Sequence, residues 1–162
     1  MDSLKGALRR LAKAVVVITS AENGERFAMA ATAVSELSLD PPSMLICVNR
    51  TASIHPVLSR GMSFAINILH HDHADIAANC SGKMKGEERF SVGEWQMTPQ
   101  GVPFLADCQA AIICHNDKQL DYGTHSLFIG RVADVSLHGD VSPLIYVDGR
   151  FTRAMERDTV NG

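Results

Sequence analysis

The stretch CVNRTASIHP sets Arg50, Thr51 and Ser53 where an apolar run meets a helix start. Helix starts expose unpaired amide donors and the positive end of the helix dipole, which suits an anion such as phosphate. A guanidinium and two hydroxyls there add donors of the right kind. Taken alone, this segment favours a plainer reading, a capped helix with one solvated arginine. One strand earlier, ATAVSELSLDPP (31–42) offers small side chains, the hydroxyls of Thr32, Ser35 and Ser38, and a double proline. Small side chains let a planar ring approach the backbone closely, as glycine does elsewhere. Extended backbone presents amides and carbonyls edge-on to a heterocycle, and Asp40 before Pro41 is pushed toward extended geometry. The alternative is an irregular edge strand. A ring site beside an anion site fits flavin mononucleotide, with the ring at ATAVS and the phosphate near NRTAS.

Other chemistry finds less support. No GxGxxG follows a strand, so no Rossmann site is indicated. SGKMKG lacks the earlier glycine and the following Ser/Thr of a P-loop. The run His70–His73 sits at a strand-to-helix junction, where neighbouring side chains are expected to point apart, and no HExxH spacing accompanies it, so no metal is expected. Cys47, Cys80, Cys108 and Cys114 form no CxxC pair and read as reduced, mostly buried thiols of a cytoplasmic protein.

The elements that must carry these residues read as mainly β. Leu4, Leu8, Leu11 and Val15 recur at helical spacing and predict an amphipathic N-terminal helix. AVVVITS is a buried strand, Asn23-Gly24 a hairpin turn, and Phe27–Ala33 the return strand. SMLICVN and MSFAINIL are further strands. TASIHPVLSRG is a short helix with Ser53 as cap, and DHADIAANC another with Asp72 as cap. SGKMKGEERF is a loop, followed by a turn-rich stretch from Trp95. AAIICHND, HSLFIGRVADVSL and LIYVDGRF close the chain as three strands. Hairpin-like intervals predict an antiparallel barrel with a few helices outside it. The 162 residues suit a single domain, 1–162, and 46% hydrophobic with 20% charged residues suits a soluble globular protein. A net charge of −3 with no basic block argues against nucleic acid. No apolar run approaches membrane-spanning length, and AVVVI after the basic residues Lys5–Lys13 is too short for a signal-peptide core.

Four segments carry a resemblance: ATAVSELSLDPPSMLICVNRTAS, EERF, GTHSLFIGRV and PLIYVDGRF. In that order, over Leu8 to Phe151, they resemble the flavin reductase family, the small reductase components of two-component flavin-dependent monooxygenases. The resemblance implies a split β-barrel of Greek-key topology that binds FMN, with a few peripheral helices. It implies a homodimer with flavin near the interface, and reduction of FMN or FAD by NADH or NADPH through hydride transfer to flavin N5. The reduced flavin would serve a partner oxygenase. By match to the family pattern, Ala31, Thr32, Ala33 and Val34 line the ring and Ser38 the ribityl chain. Asn49, Arg50, Ser53 and Arg89 surround the phosphate, and His125 stands where nicotinamide docks. Ala28-Met29-Ala30 departs from a common Gly-Phe-Thr and removes one hydroxyl. Read alone, Arg89 is a surface arginine, Phe90 a core anchor, His125 a strand-end histidine and Tyr146 a packing residue. Two rival functions remain: a corrin reductase using flavin, and a non-catalytic FMN-binding electron carrier.

Overall fold

The computed structural model describes residues 1–156, so 157–162 of the expected domain lie outside the described residues. Helix α1 (Asp2–Leu8) leads to strands β1 (Lys13–Ala14) and β2 (Val16–Glu22). Asn23 and Gly24, with φ of 53° and 80°, turn β2 into β3 (Glu25–Ala31), as an Asn-Gly pair should. Then come β4 (Val34–Leu39), β5 (Pro42–Asn49), α2 (His55–Ser59), β6 (Phe64–Ile68) and α3 (Ala74–Ala78). A short hairpin, β7 (Trp95–Met97) and β8 (Pro103–Leu105), precedes the long strands β9 (Ala110–Tyr122) and β10 (His125–Leu137). The described chain ends with β11 (Leu144–Val147) and β12 (Arg150–Arg153).

Seven strands form one antiparallel sheet in the order β3-β2-β6-β9-β10-β5-β4. Its outermost strands, β3 and β4, are joined by Thr32 and Ala33 alone. A flat sheet would hold them roughly 29 Å apart, at about 4.8 Å per strand step. The chain from Ala31 to Val34 reaches at most about 11 Å. The sheet must therefore roll until its two edges meet at Thr32-Ala33, and the result is a barrel.

Rolling creates two cores. Inside lie Ile18, Ile46, Val48, Phe64, Ile66 and Phe128, with Ile54 and Leu58 packed among them from α2 and the turn before it. Outside, Val17, Leu69, Ile76 and Leu105 join the sheet to α3 and the small hairpin. Strand β2 faces both cores, which is why its first five residues are all buried and its sequence does not alternate. Among the described residues no helix is long and apolar enough to cross a membrane.

Several expectations change. ATAVSELSLDPP carries β4, an edge strand with a bulge between Glu36 and Ser38, which is the alternative stated above, and Asp40–Pro41 is a cis turn. LIYVDGRF is a hairpin, because Asp148 and Gly149 take φ of 50° and 75°. The loop SGKMKGEERF takes in the end of one short helical turn, Asn79–Lys83, and the whole of another, Gly86–Phe90. The turn His71–His73 is capped by the His70 side chain rather than by Asp72. Ser53 caps nothing; Ile54 precedes α2 without a side-chain cap. The leucines of α1 and the one that follows it face no core: Leu4 is 55%, Leu8 48% and Leu11 55% exposed.

Candidate active site

The seam where the sheet closes carries the residues expected to line a ring. Ala33 accepts a hydrogen bond from Cys47 N at 3.0 Å, and Cys47 lies opposite Leu127 on β10. Two residues along the same strands, Asn49 lies opposite His125. Opposed residues of an antiparallel pair share a face, and Ile46, Val48, Ser126 and Phe128 between them are buried. Ala33, Asn49 and His125 thus sit on the outer face of the barrel, and all three are exposed. Val34 and Ala31 pack against the inner core instead, so only their backbone is open to an outer-face ligand.

Thr32 stands where three cavities meet, of about 530, 380 and 330 Å³. The largest has Ala30 and Ala31 as floor, Ser81 and Lys83 on one side, and Tyr146 with Phe151 on another. The two aromatic rings meet edge to face at 5.7 Å. No local pattern marks Lys83 or Phe151 in the sequence; the fold gathers them from distant segments.

The residues expected around a phosphate divide. Arg89 Nη1 donates to Ser53 Oγ at 3.1 Å, which joins the EERF turn to the segment after β5. Arg89 Nε is buried with no acceptor. A buried cationic donor left unpaired costs free energy that an anionic ligand would recover. Arg89 also lies close enough to Cys80 to lower its thiol pKa, although burial dominates and pushes that thiol up to about 11.

Arg50 goes elsewhere, pairing through Nη2 with Asp121 Oδ2 at 3.0 Å. Asp121 also accepts from Ser126 Oγ at 2.6 Å and Gln119 Nε2 at 2.8 Å. These bonds, Ser126's first, hold its carboxyl below the ordinary value. Ser126 Oγ lies 2.7 Å from His55 Nε2. Its one hydroxyl proton goes to the carboxylate, so His55 must donate from Nε2. This clamp was legible only through the Gly123-Thr124 turn, which sets Asp121 opposite Ser126.

Ser38 is not brought to the group. Its hydroxyl is bonded to the backbone of Asp40, and β4 runs from Val34 toward the hairpin, away from Asn49 and Ser53. Asn49 Oδ1 accepts from both the amide and the hydroxyl of Thr51, each at 2.9 Å. His125 Nδ1 lies 2.8 Å from Thr124 Oγ1.

The histidine run contradicts the expectation that its side chains diverge. His70, His71 and Asp72 bring ligand-type atoms within 4.8 Å of one another. Their nitrogens are largely spoken for: His70 Nδ1 accepts from Asp72 N at 3.2 Å, and His71 contacts Ser142 Oγ at 2.5 Å and Asp72 Oδ1 at 3.0 Å. The cluster builds a cap and a tie to the segment before β11.

Residues 8–155 match the family described as flavin reductase like domain. The chain belongs to that family. Its relatives include the reductase component of the FADH(2)-dependent resorcinol hydroxylase of Rhizobium sp. (strain MTP-10005), 35% identical over 94% of this chain and 87% of that protein. The FMN reductase (NADH) RutF of Agrobacterium fabrum (strain C58 / ATCC 33970) is 33% identical over 91% and 84%. Among solved structures, BorF, the flavin reductase component of a bacterial two-component tryptophan halogenase, superposes with a TM-score of 0.87 at 28% identity, covering 96% of this chain and 99% of BorF. The flavin reductase PheA2 gives 0.85 at 26% identity over 96% and 98%. The flavin reductase match spans every site residue named above, and the split barrel expected of that family is the rolled sheet described here.

Proposed function

We propose that this chain is an NADH-dependent flavin reductase that delivers reduced FMN or FAD to a partner oxygenase. The observation that carries the reading is the Arg89–Ser53 pair. Its buried, unpaired Nε awaits an anion, and the small-residue seam at Thr32-Ala33 offers a ring its backbone. Arg89 and Ser53 would hold the phosphate, while Thr32, Ala33 and the exposed backbone beside them would border the ring. The flavin, when bound, supplies the hydride-accepting atom, so no side chain need act as nucleophile or general base. His125, on the outer face with Asn49, would orient the nicotinamide. Arg50 acts at one remove: its pair with Asp121 steadies the hairpin tip that carries His125.

The finer proposal is a homodimer, supported by the uncovered leucines of α1 beside the Thr32 cavities. The deciding assay follows NADH oxidation with FMN, FAD and riboflavin in turn. Turnover is expected with at least one flavin. Flavin binding without any NADH oxidation would instead mark a non-catalytic carrier.

A further inference from the structure

The cavity bordered by Tyr146 and Phe151 has one cationic side chain at its edge. Among its bordering residues only Lys83 is charged. Among the described residues Lys83 forms no ion pair. Gly82, at φ 105°, ends the helical turn before it and redirects the chain there. The nearby hydroxyl of Ser81 is spent on Ala77 O at 2.5 Å, so it offers no competing donor. The rest of the wall is alanine, valine, Thr32 and two aromatic rings. Such a site suits a planar ring better than a phosphate, and Arg89 with Ser53 already forms the phosphate pair.

We propose that Lys83 is the residue that favours the reduced over the oxidised flavin ring in this protein. The inference rests on the reductase reading above. Hydride transfer takes two electrons and one proton from nicotinamide C4 and adds them to flavin N5. The nicotinamide gains a positive charge and the flavin a negative one. The exposed Lys83 ammonium, at the border of this apolar-walled cavity, stabilises that new charge and does little for the neutral oxidised ring. Lys83 therefore raises the reduction potential of the bound flavin and lowers the barrier as charge develops.

The test compares wild type, Lys83→Gln and Lys83→Arg, with FMN and with riboflavin. Affinities for oxidised flavin come from fluorescence, and midpoint potentials from dithionite titration, which needs no nicotinamide. Lys83→Gln should bind oxidised flavin as wild type does and reduced flavin about tenfold more weakly, equivalent to a potential about 30 mV lower for a two-electron couple. The shift should be equal for FMN and riboflavin, and Lys83→Arg should restore it. An unchanged potential overturns the assignment. So does a loss confined to FMN, which would make Lys83 a phosphate ligand, or a Lys83→Gln protein that no longer binds oxidised flavin. Wild type that binds no flavin overturns the reductase reading along with it. Wild type that binds flavin but is not reduced by NADH overturns the reductase reading alone, and the potentials still decide Lys83.

Discussion

At the scale of single residues, the proposed function gives Arg89 and His125 two separate jobs. Arg89 has one bond to Ser53 and a buried donor to spare. Removing a charge-assisted bond costs about 1.5–3 kcal/mol. Arg89→Ala should therefore weaken FMN by that amount and leave riboflavin nearly unaffected, as measured by fluorescence titration. Equal loss for both flavins would place Arg89 away from the phosphate. His125 lies on the outer face, its Nδ1 beside Thr124 and its ring exposed. His125→Ala should retain flavin affinity but slow reduction of bound flavin about ten- to a hundredfold, equivalent to roughly 1.4–2.7 kcal/mol of barrier. Anaerobic stopped-flow reduction with varied nicotinamide reads this directly. A wild-type limiting rate and nicotinamide affinity would return His125 to the structural histidines.

At the scale of elements, the β9–β10 hairpin carries most of the consequence. Its tip is held by Arg50, Asp121, Ser126 and His55, and its middle by close packing at Gly130. A Cβ on Gly130 would lie 2.6 Å from both Cys114 Cβ and Phe64 Cζ. Both neighbours are fully buried in the inner core and have nowhere to go. Gly130→Ala should thus destabilise the fold by about 1–3 kcal/mol, the usual range for overpacking. Urea unfolding with an unchanged slope checks it. The same logic explains a misreading: LIYVDGRF has the β-branched and aromatic content of one strand, but Asp-Gly at positive φ folds it into two.

At the scale of the whole molecule, the apolar face of α1 is the outstanding feature. It borders a cavity that also reaches Thr32 and Tyr146, so whatever covers it also shapes the proposed ring site. The proposed homodimer predicts that a Leu4→Glu/Leu8→Glu double variant elutes as a monomer in light-scattering chromatography, while wild type elutes as a dimer. Flavin affinity should fall with the dimer. Wild type that is monomeric at micromolar concentration would remove the proposal.

Turn chemistry and hydrophobic runs act within a few residues, so the sequence by itself determined the approximate places of β2, β5, β6 and β9, the Asn23-Gly24 hairpin and the extent of β10. The resemblance, carried by ordered motifs, is what singled out Ser53, Arg89 and His125 as candidates. The tertiary structure alone decided which faces of those strands point outward, because that depends on the sheet rolling shut through a two-residue link. It also decided that Arg50 pairs with Asp121, that Ser38 turns into its own hairpin, and that Lys83, Tyr146 and Phe151 converge on Thr32. Those pairings join segments tens of residues apart, where local backbone preference carries no information and only closure of the barrel brings the groups together.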